Sequence, residues 1–235
     1  MAIDDLTGRP WILLPGTLCT AAVFDDFLDA LAVAPAQRHP LILDRPSVED
    51  YVDLCPLASQ DTVVCGFSLG AIVAAHLADR MTAHRLVLFG INPYANDPAK
   101  AKGRRDLAHD VALLGGADAM RSRLPDLHGP DRKSAKVKML AMADQTAPLI
   151  DAQTQLALNR PGALPALSRA RAPVFSLTGS NDLAAPPAQG RAAAEAAPMG
   201  QFASLDGLGH FALLENPMAC AASVARMEEY LHNLA

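Results

Sequence analysis

A chain of 235 residues that is 51% hydrophobic carries enough apolar material for one large core and falls within the size range of single α/β domains. Its formal net charge of −5 and pI near 5.7 argue against a nucleic-acid partner, which calls for a basic footprint. Cys19, Cys55, Cys65 and Cys220 are scattered with no C-x-x-C pair, so neither a zinc site nor a disulfide framework is signalled.

In chain order, Met1-Ala2-Ile3-Asp4-Asp5 lacks the basic and apolar regions of a signal peptide, and no later apolar run reaches bilayer length. A cytoplasmic protein with no membrane partner is expected. Apolar runs at 11–14, 41–44, 62–65, 85–89, 174–177 and 202–205 read as six strands. Their hydrophobicity is continuous rather than alternating, as in a parallel sheet covered on both faces. Helical patterns at 22–32, 68–80, 188–197 and 217–234 supply the outer layers, the last with apolar spacing at Val224, Met227 and Leu231. From about 94 to 167 no strong strand occurs, and helix-like stretches are broken at Gly115-Gly116, Gly129-Pro130, Pro148 and Pro161-Gly162. The expected architecture is one domain over 1–235. Its core is 1–93 and 168–235, with a helical cap at about 94–167 over the carboxyl ends of the strands, where open parallel sheets hold ligands.

Gly66-Phe67-Ser68-Leu69-Gly70 stands between the third apolar run and the helical pattern that follows it. This reads as a nucleophile elbow. A serine on a sharp strand-to-helix turn projects its hydroxyl above the sheet, with backbone N–H groups at the helix start facing a developing oxyanion. The competing reading is a glycine-bounded turn with a serine N-cap.

Three further motifs agree with the elbow. Leu14-Pro15-Gly16-Thr17-Leu18 follows the first strand, Gly179-Ser180-Asn181-Asp182 follows the fifth, and Gly209-His210-Phe211-Ala212-Leu213-Leu214-Glu215-Asn216-Pro217 follows the sixth. Together the four motifs resemble those of the α/β-hydrolase family, in its compact subgroup with a helical cap, from about Trp11 to the C-terminus. The resemblance implies an α/β-hydrolase fold, a mostly parallel sheet of about six strands with helices on both faces. It also implies a triad in the family order: Ser68 as nucleophile, Asp182 as orienting carboxylate and His210 as general base and then acid. Asp206, on the histidine's own loop, is the rival acid. The backbone N–H groups of Leu69 and Thr17 are the expected oxyanion hole, with Leu18 the alternative to Thr17. Many family members carry His-Gly where this chain has Pro15-Gly16, and a preset φ at Pro15 is the available substitute for that brace.

The resemblance implies a serine hydrolase that needs no cofactor or metal and cleaves a small-molecule carboxylic ester of small or medium acyl size through an acyl-enzyme. A thioesterase, a carbon–carbon bond hydrolase and a slow-turnover small-molecule receptor with a retained triad are the alternatives. Charge adds one feature. Residues 100–138 hold ten Lys or Arg against five Asp, leaving ten basic and twenty acidic residues elsewhere. This is either a solvated helical face or a region that steers an anionic or carrier-linked substrate, with Lys100, Lys102, Arg104 and Arg105 as its densest cluster.

Overall fold

A computed structural model describes residues 4–234, so Met1, Ala2 and Ile3, which the sequence reading weighed against a leader, lie outside the described residues. The regular elements begin with α1 (Asp4–Thr7), β1 (Trp11–Leu14), α2 (Asp25–Ala30), β2 (Arg38–Pro40), β3 (Val63–Phe67), α3 (Leu69–His76) and β4 (Arg85–Phe89). A helical stretch follows: α4 (Ala101–Leu114), α5 (Gly116–Arg121), α6 (Arg132–Thr146), α7 (Ile150–Asn159) and α8 (Leu164–Leu167). The chain then returns through β5 (Val174–Gly179), α9 (Pro187–Ala196), β6 (Gly200–Leu205), α10 (Ala212–Glu215) and α11 (Pro217–Leu234).

The six strands form one parallel sheet in the order β2-β1-β3-β4-β5-β6. Successive side chains on a strand face opposite ways. Leu13, Cys65, Val87 and Phe175 therefore pack on one layer with Phe27 of α2, Leu214 of α10 and Val224 of α11. Ile12, Leu14, Val64, Leu88 and Val174 pack on the other, against Ala71 and Val73 of α3 and Ala193 of α9. Both faces of the central strands are thus dry, which is why their sequences are apolar throughout rather than alternating.

The second strand departs from the sequence expectation. Pairing with β1 runs through Arg38–Pro40, with Trp11 opposite Arg38 and Leu13 opposite Pro40, and ends where Leu41 N–H donates to Leu13 O at 2.9 Å, at the first residue of the run 41–44. The strand lies at the sheet edge, where a proline is tolerated because one side makes no ladder. Leu43 is buried, but its carbonyl accepts from Gln153 Nε2 at 3.2 Å instead of from a strand.

The topology also sets the position of the site. After β1 the chain crosses to β2 on one side, and β3 then lies on the other side of β1. Loops leaving the carboxyl ends of β1 and β3 diverge there, and a crevice opens between them. The segment between β4 and β5 packs a small cluster of Ala108, Val111, Ala119, Ala143 and Ile150 onto Leu18 of the β1 loop. Among the described residues no helix is long and apolar enough to cross a membrane.

Candidate active site

Ser68 alone makes the turn between β3 and α3, at φ 51° and ψ −112°. Strain of this kind is of order 1–3 kcal/mol and persists only when the surroundings over-determine it. Here they do. Ser68 N–H donates to Phe89 O at 2.9 Å, and Ile72 N–H donates to Ser68 O at 3.1 Å. A Cβ on Gly70 would lie 2.0 Å from Leu14 O, so β1 and the start of α3 meet at a distance only glycine permits.

Asp182 follows β5 and is 2% exposed. Its Oδ1 accepts the N–H groups of Ala184 and Ala185, both at 2.8 Å, which fixes the carboxylate plane. Its Oδ2 lies 2.7 Å from His210 Nδ1, and His210 Nε2 lies 3.0 Å from Ser68 Oγ. A carboxylate only accepts, so Nδ1 carries the imidazole proton and Nε2 turns its lone pair to the serine hydroxyl. Asp206 is exposed on the loop after β6, and His210 bonds Asp182 rather than Asp206. The arrangement can take a proton from Ser68 Oγ and stabilise the resulting imidazolium.

Three residues that sequence reasoning passed over hold this geometry. Gly90, at the end of β4, has φ +56°, and a Cβ there would sit 3.0 Å from His210 Cε1 and 3.4 Å from Asp182 Oδ2. Glu215 is fully buried, and its Oε2 accepts the N–H groups of Gly209 at 2.7 Å and His128 at 3.1 Å. It thereby ties the histidine loop to the segment between α5 and α6, and burial raises its carboxyl pKa. Gln153 of α7, 1% exposed, accepts Leu18 N–H at 2.9 Å. Leu18 N–H is therefore engaged, whereas among the described residues the N–H groups of Thr17 and Leu69 have no acceptor. A glycine closing an apolar strand and an acid directly after the apolar run 211–214 were local signals for the first two. Gln153 carried none.

The cleft at Ser68 has a volume of about 310 Å³, and Thr17, Leu69, Ile72, Ala184 and His210 form part of its wall. Of the basic cluster on α4 and the turn before it, Lys100 and Arg104 line this cleft, while Lys102 pairs with Asp106 at 2.6 Å and Arg105 is exposed. Among the described residues, Asp5, His84 and Glu228 bring possible metal-ligating atoms within 4.8 Å of one another. Both Glu228 oxygens bond Arg85, at 2.7 and 2.5 Å, and Asp5 bonds Arg9 at 2.5 Å, so guanidinium groups already neutralise those donors. That group lies at the amino end of β4, away from the strand ends that carry Ser68 and His210.

Comparison with known proteins gives the family. A sequence model of the alpha/beta hydrolase family matches residues 11–223. A curated pimeloyl-[acyl-carrier protein] methyl ester esterase from Aromatoleum aromaticum is 30% identical over 198 residues, covering 76% of this chain and 79% of that protein. A thermophilic esterase from Thermogutta terrifontis, solved with malate bound, superposes with a TM-score of 0.78 at 21% identity, covering 97% of this chain and 90% of the other. An enol-lactonase from Burkholderia xenovorans superposes with a TM-score of 0.70 at 21% identity, covering 93% and 91%. The match over most of the sequence, with a likeness of fold across nearly the whole chain, makes this protein a member of the alpha/beta hydrolase family.

Proposed function

We propose that this hydrolase is a serine esterase acting on a carboxylic ester of small or medium acyl size. The observation that carries the reading is the line from Ser68 Oγ to His210 Nε2 at 3.0 Å and from His210 Nδ1 to Asp182 Oδ2 at 2.7 Å. Ser68 Oγ attacks the ester carbonyl as His210 takes its proton, and the carbonyl oxygen becomes an anion facing the N–H groups of Thr17 and Leu69. The acyl C–O bond then breaks, and His210 returns the proton to the departing alcohol. Water, deprotonated by the same imidazole, attacks the acyl-enzyme and releases the acid with Ser68 restored. Asp182 holds the tautomer and stabilises the imidazolium throughout.

The choice of Thr17 over Leu18 is supported by the bond that already occupies Leu18 N–H. Residues 94–167 serve in this reading as a cap over the cleft, and Lys100 and Arg104 bring part of their positive charge to its wall. An anionic or carrier-linked ester suits that charge, and the curated relative named for a carrier-linked methyl ester points the same way. Four free cysteines suit a reducing cytoplasm. The test is labelling by a fluorophosphonate probe together with turnover of chromogenic esters. Ser68→Ala abolishes both on this reading, and labelling that persists at another residue overturns it.

A further inference from the structure

Arg160, just after α7, is a buried cation for which the ester mechanism has no use. It is 4% exposed, yet it lines the cleft that holds Ser68 and His210. Its Nε donates to Tyr94 O at 3.3 Å and its Nη1 to Ala157 O at 2.8 Å. Those carbonyls satisfy donors but do not neutralise charge. Burial and the positive charge of Arg104 together lower its pKa to about 10. Arg104 is itself partly buried, its Nε donating to Asn96 Oδ1 at 3.2 Å. Among the described residues the carboxylate acting on it is Asp97, which is exposed and accepts Ala99 N–H at 2.9 Å. Among the described residues neither arginine, nor Lys100, makes an ion pair with a carboxylate.

Helical spacing puts the rest of this wall in place. Lys100, Gly103, Arg104 and Leu107 recur at i, i+3, i+4 and i+7, so one face of α4 and its leading turn borders the cleft. Gly103 has nothing within 4 Å of where a Cβ would be, which leaves space open between the two cations. A buried guanidinium without a counter-ion is costly, and an anion that arrives with the substrate relieves that cost. The planar fork of arginine matches a carboxylate through paired N–H donors.

We propose that Arg160, Arg104 and Lys100 form a carboxylate-binding subsite, so that the ester cleaved at Ser68 bears a second, free acid group, as in the half-ester of a short dicarboxylic acid. This rests on the serine esterase reading above. A phosphate monoester offers the same compact anionic oxygens, and the test separates the two.

The experiment compares kcat/KM for monomethyl succinate, glutarate, adipate and pimelate with the dimethyl diester of each length, and with methyl 4-(phosphonooxy)butanoate. The half-ester of the best length exceeds its diester by about tenfold or more, chiefly through KM. Arg160→Gln and Arg104→Met each reduce that ratio by about tenfold, and Arg160→Lys, which keeps the charge, retains part of it. Arg104→Met removes no bond to a main-chain carbonyl, so it carries the test if Arg160→Gln fails to fold. Equal kinetics for half-ester and diester in the wild type, or a ratio that both variants leave intact, overturns the subsite. A phosphate ester preferred over every half-ester overturns the carboxylate assignment. Should no ester be turned over, the esterase reading falls by itself, and the subsite is then judged by calorimetry of adipate on the Ser68→Ala protein. Binding that Arg160→Gln weakens about tenfold supports it, and no binding overturns it.

Discussion

Ser68 keeps a left-handed backbone because glycines stand wherever a side chain would displace it, and the same logic extends to the imidazole. Gly90 lets His210 approach Asp182, since a Cβ at that position would lie 3.1 Å from His210 Nδ1. Gly90→Ala is expected to push the ring off its carboxylate and lower kcat by about 100-fold, the scale that a misplacement of about 1 Å produces. Its left-handed backbone adds about 1–2 kcal/mol of strain, visible as a reduced Tm. A variant with wild-type kcat would detach Gly90 from the geometry of the ring. Asp182→Asn tests the orienting role directly. With Oδ1 still near the N–H groups of Ala184 and Ala185, the fold should survive while kcat drops by about 10³- to 10⁴-fold, because an amide favours the wrong imidazole tautomer. Asp206→Asn, on an exposed side chain, should change kcat by no more than about twofold. Steady-state kinetics on the pair decide the assignment, and a reversed pattern transfers the role to Asp206.

At the scale of elements, α7 is tied to the loop after β1. Gln153 reaches from it to the loop after β1, accepting Leu18 N–H at 2.9 Å and donating to Leu43 O at 3.2 Å. Leu18 itself has φ 54°, so the loop presenting Thr17 is held in a strained turn by a side chain 135 residues away. Gln153→Leu leaves a buried N–H and a buried carbonyl unpartnered. The expected loss is about 1–3 kcal/mol for each orphaned group in denaturant unfolding, with a fall in kcat that exceeds any change in KM. Unfolding free energy and kcat both equal to wild type would refute the brace. The central strands were legible because burial on both faces writes an uninterrupted apolar run, and 85–89 coincides with β4. The helix at 217–234 was equally legible, from its apolar spacing and the proline that opens it. The run at 41–44 misled because Leu43 is buried in the apolar cluster on one face of the sheet without pairing as a strand, and hydrophobicity alone does not distinguish the two. Ser68, Asp182 and His210, the residues proposed as the triad, stand in short local motifs, each following a strand. The proposed preference for Thr17 over Leu18 was not legible there, since it rests on a glutamine brought in by tertiary packing.

The charge of the whole molecule is divided between the segment 100–138, at +5, and the remainder, at −10, from ten bases against five acids and ten against twenty. Several bases in the segment are already paired: Lys102 with Asp106, Arg121 with Asp118, Arg123 with Asp110 and Lys138 with Asp26. Those pairs do little at a distance. Lys100, Arg104, Arg105, Arg132, Lys133 and Lys136 make no ion pair among the described residues, so a net positive charge remains on the segment. Charge of that kind acts on encounter with a charged substrate and leaves bond breaking alone. Surface charges more than about 8 Å apart are largely screened at physiological ionic strength. For an anionic ester, kcat/KM is therefore expected to fall severalfold as salt rises from roughly 20 to roughly 300 mM, whereas a neutral ester of the same length shows a flat response. Replacing Lys100, Lys102, Arg104 and Arg105 together by glutamine should raise KM for the anionic ester and flatten its salt dependence. A salt slope that is identical for the two esters, or unaltered in the fourfold variant, would reduce the segment to an ordinary solvated face.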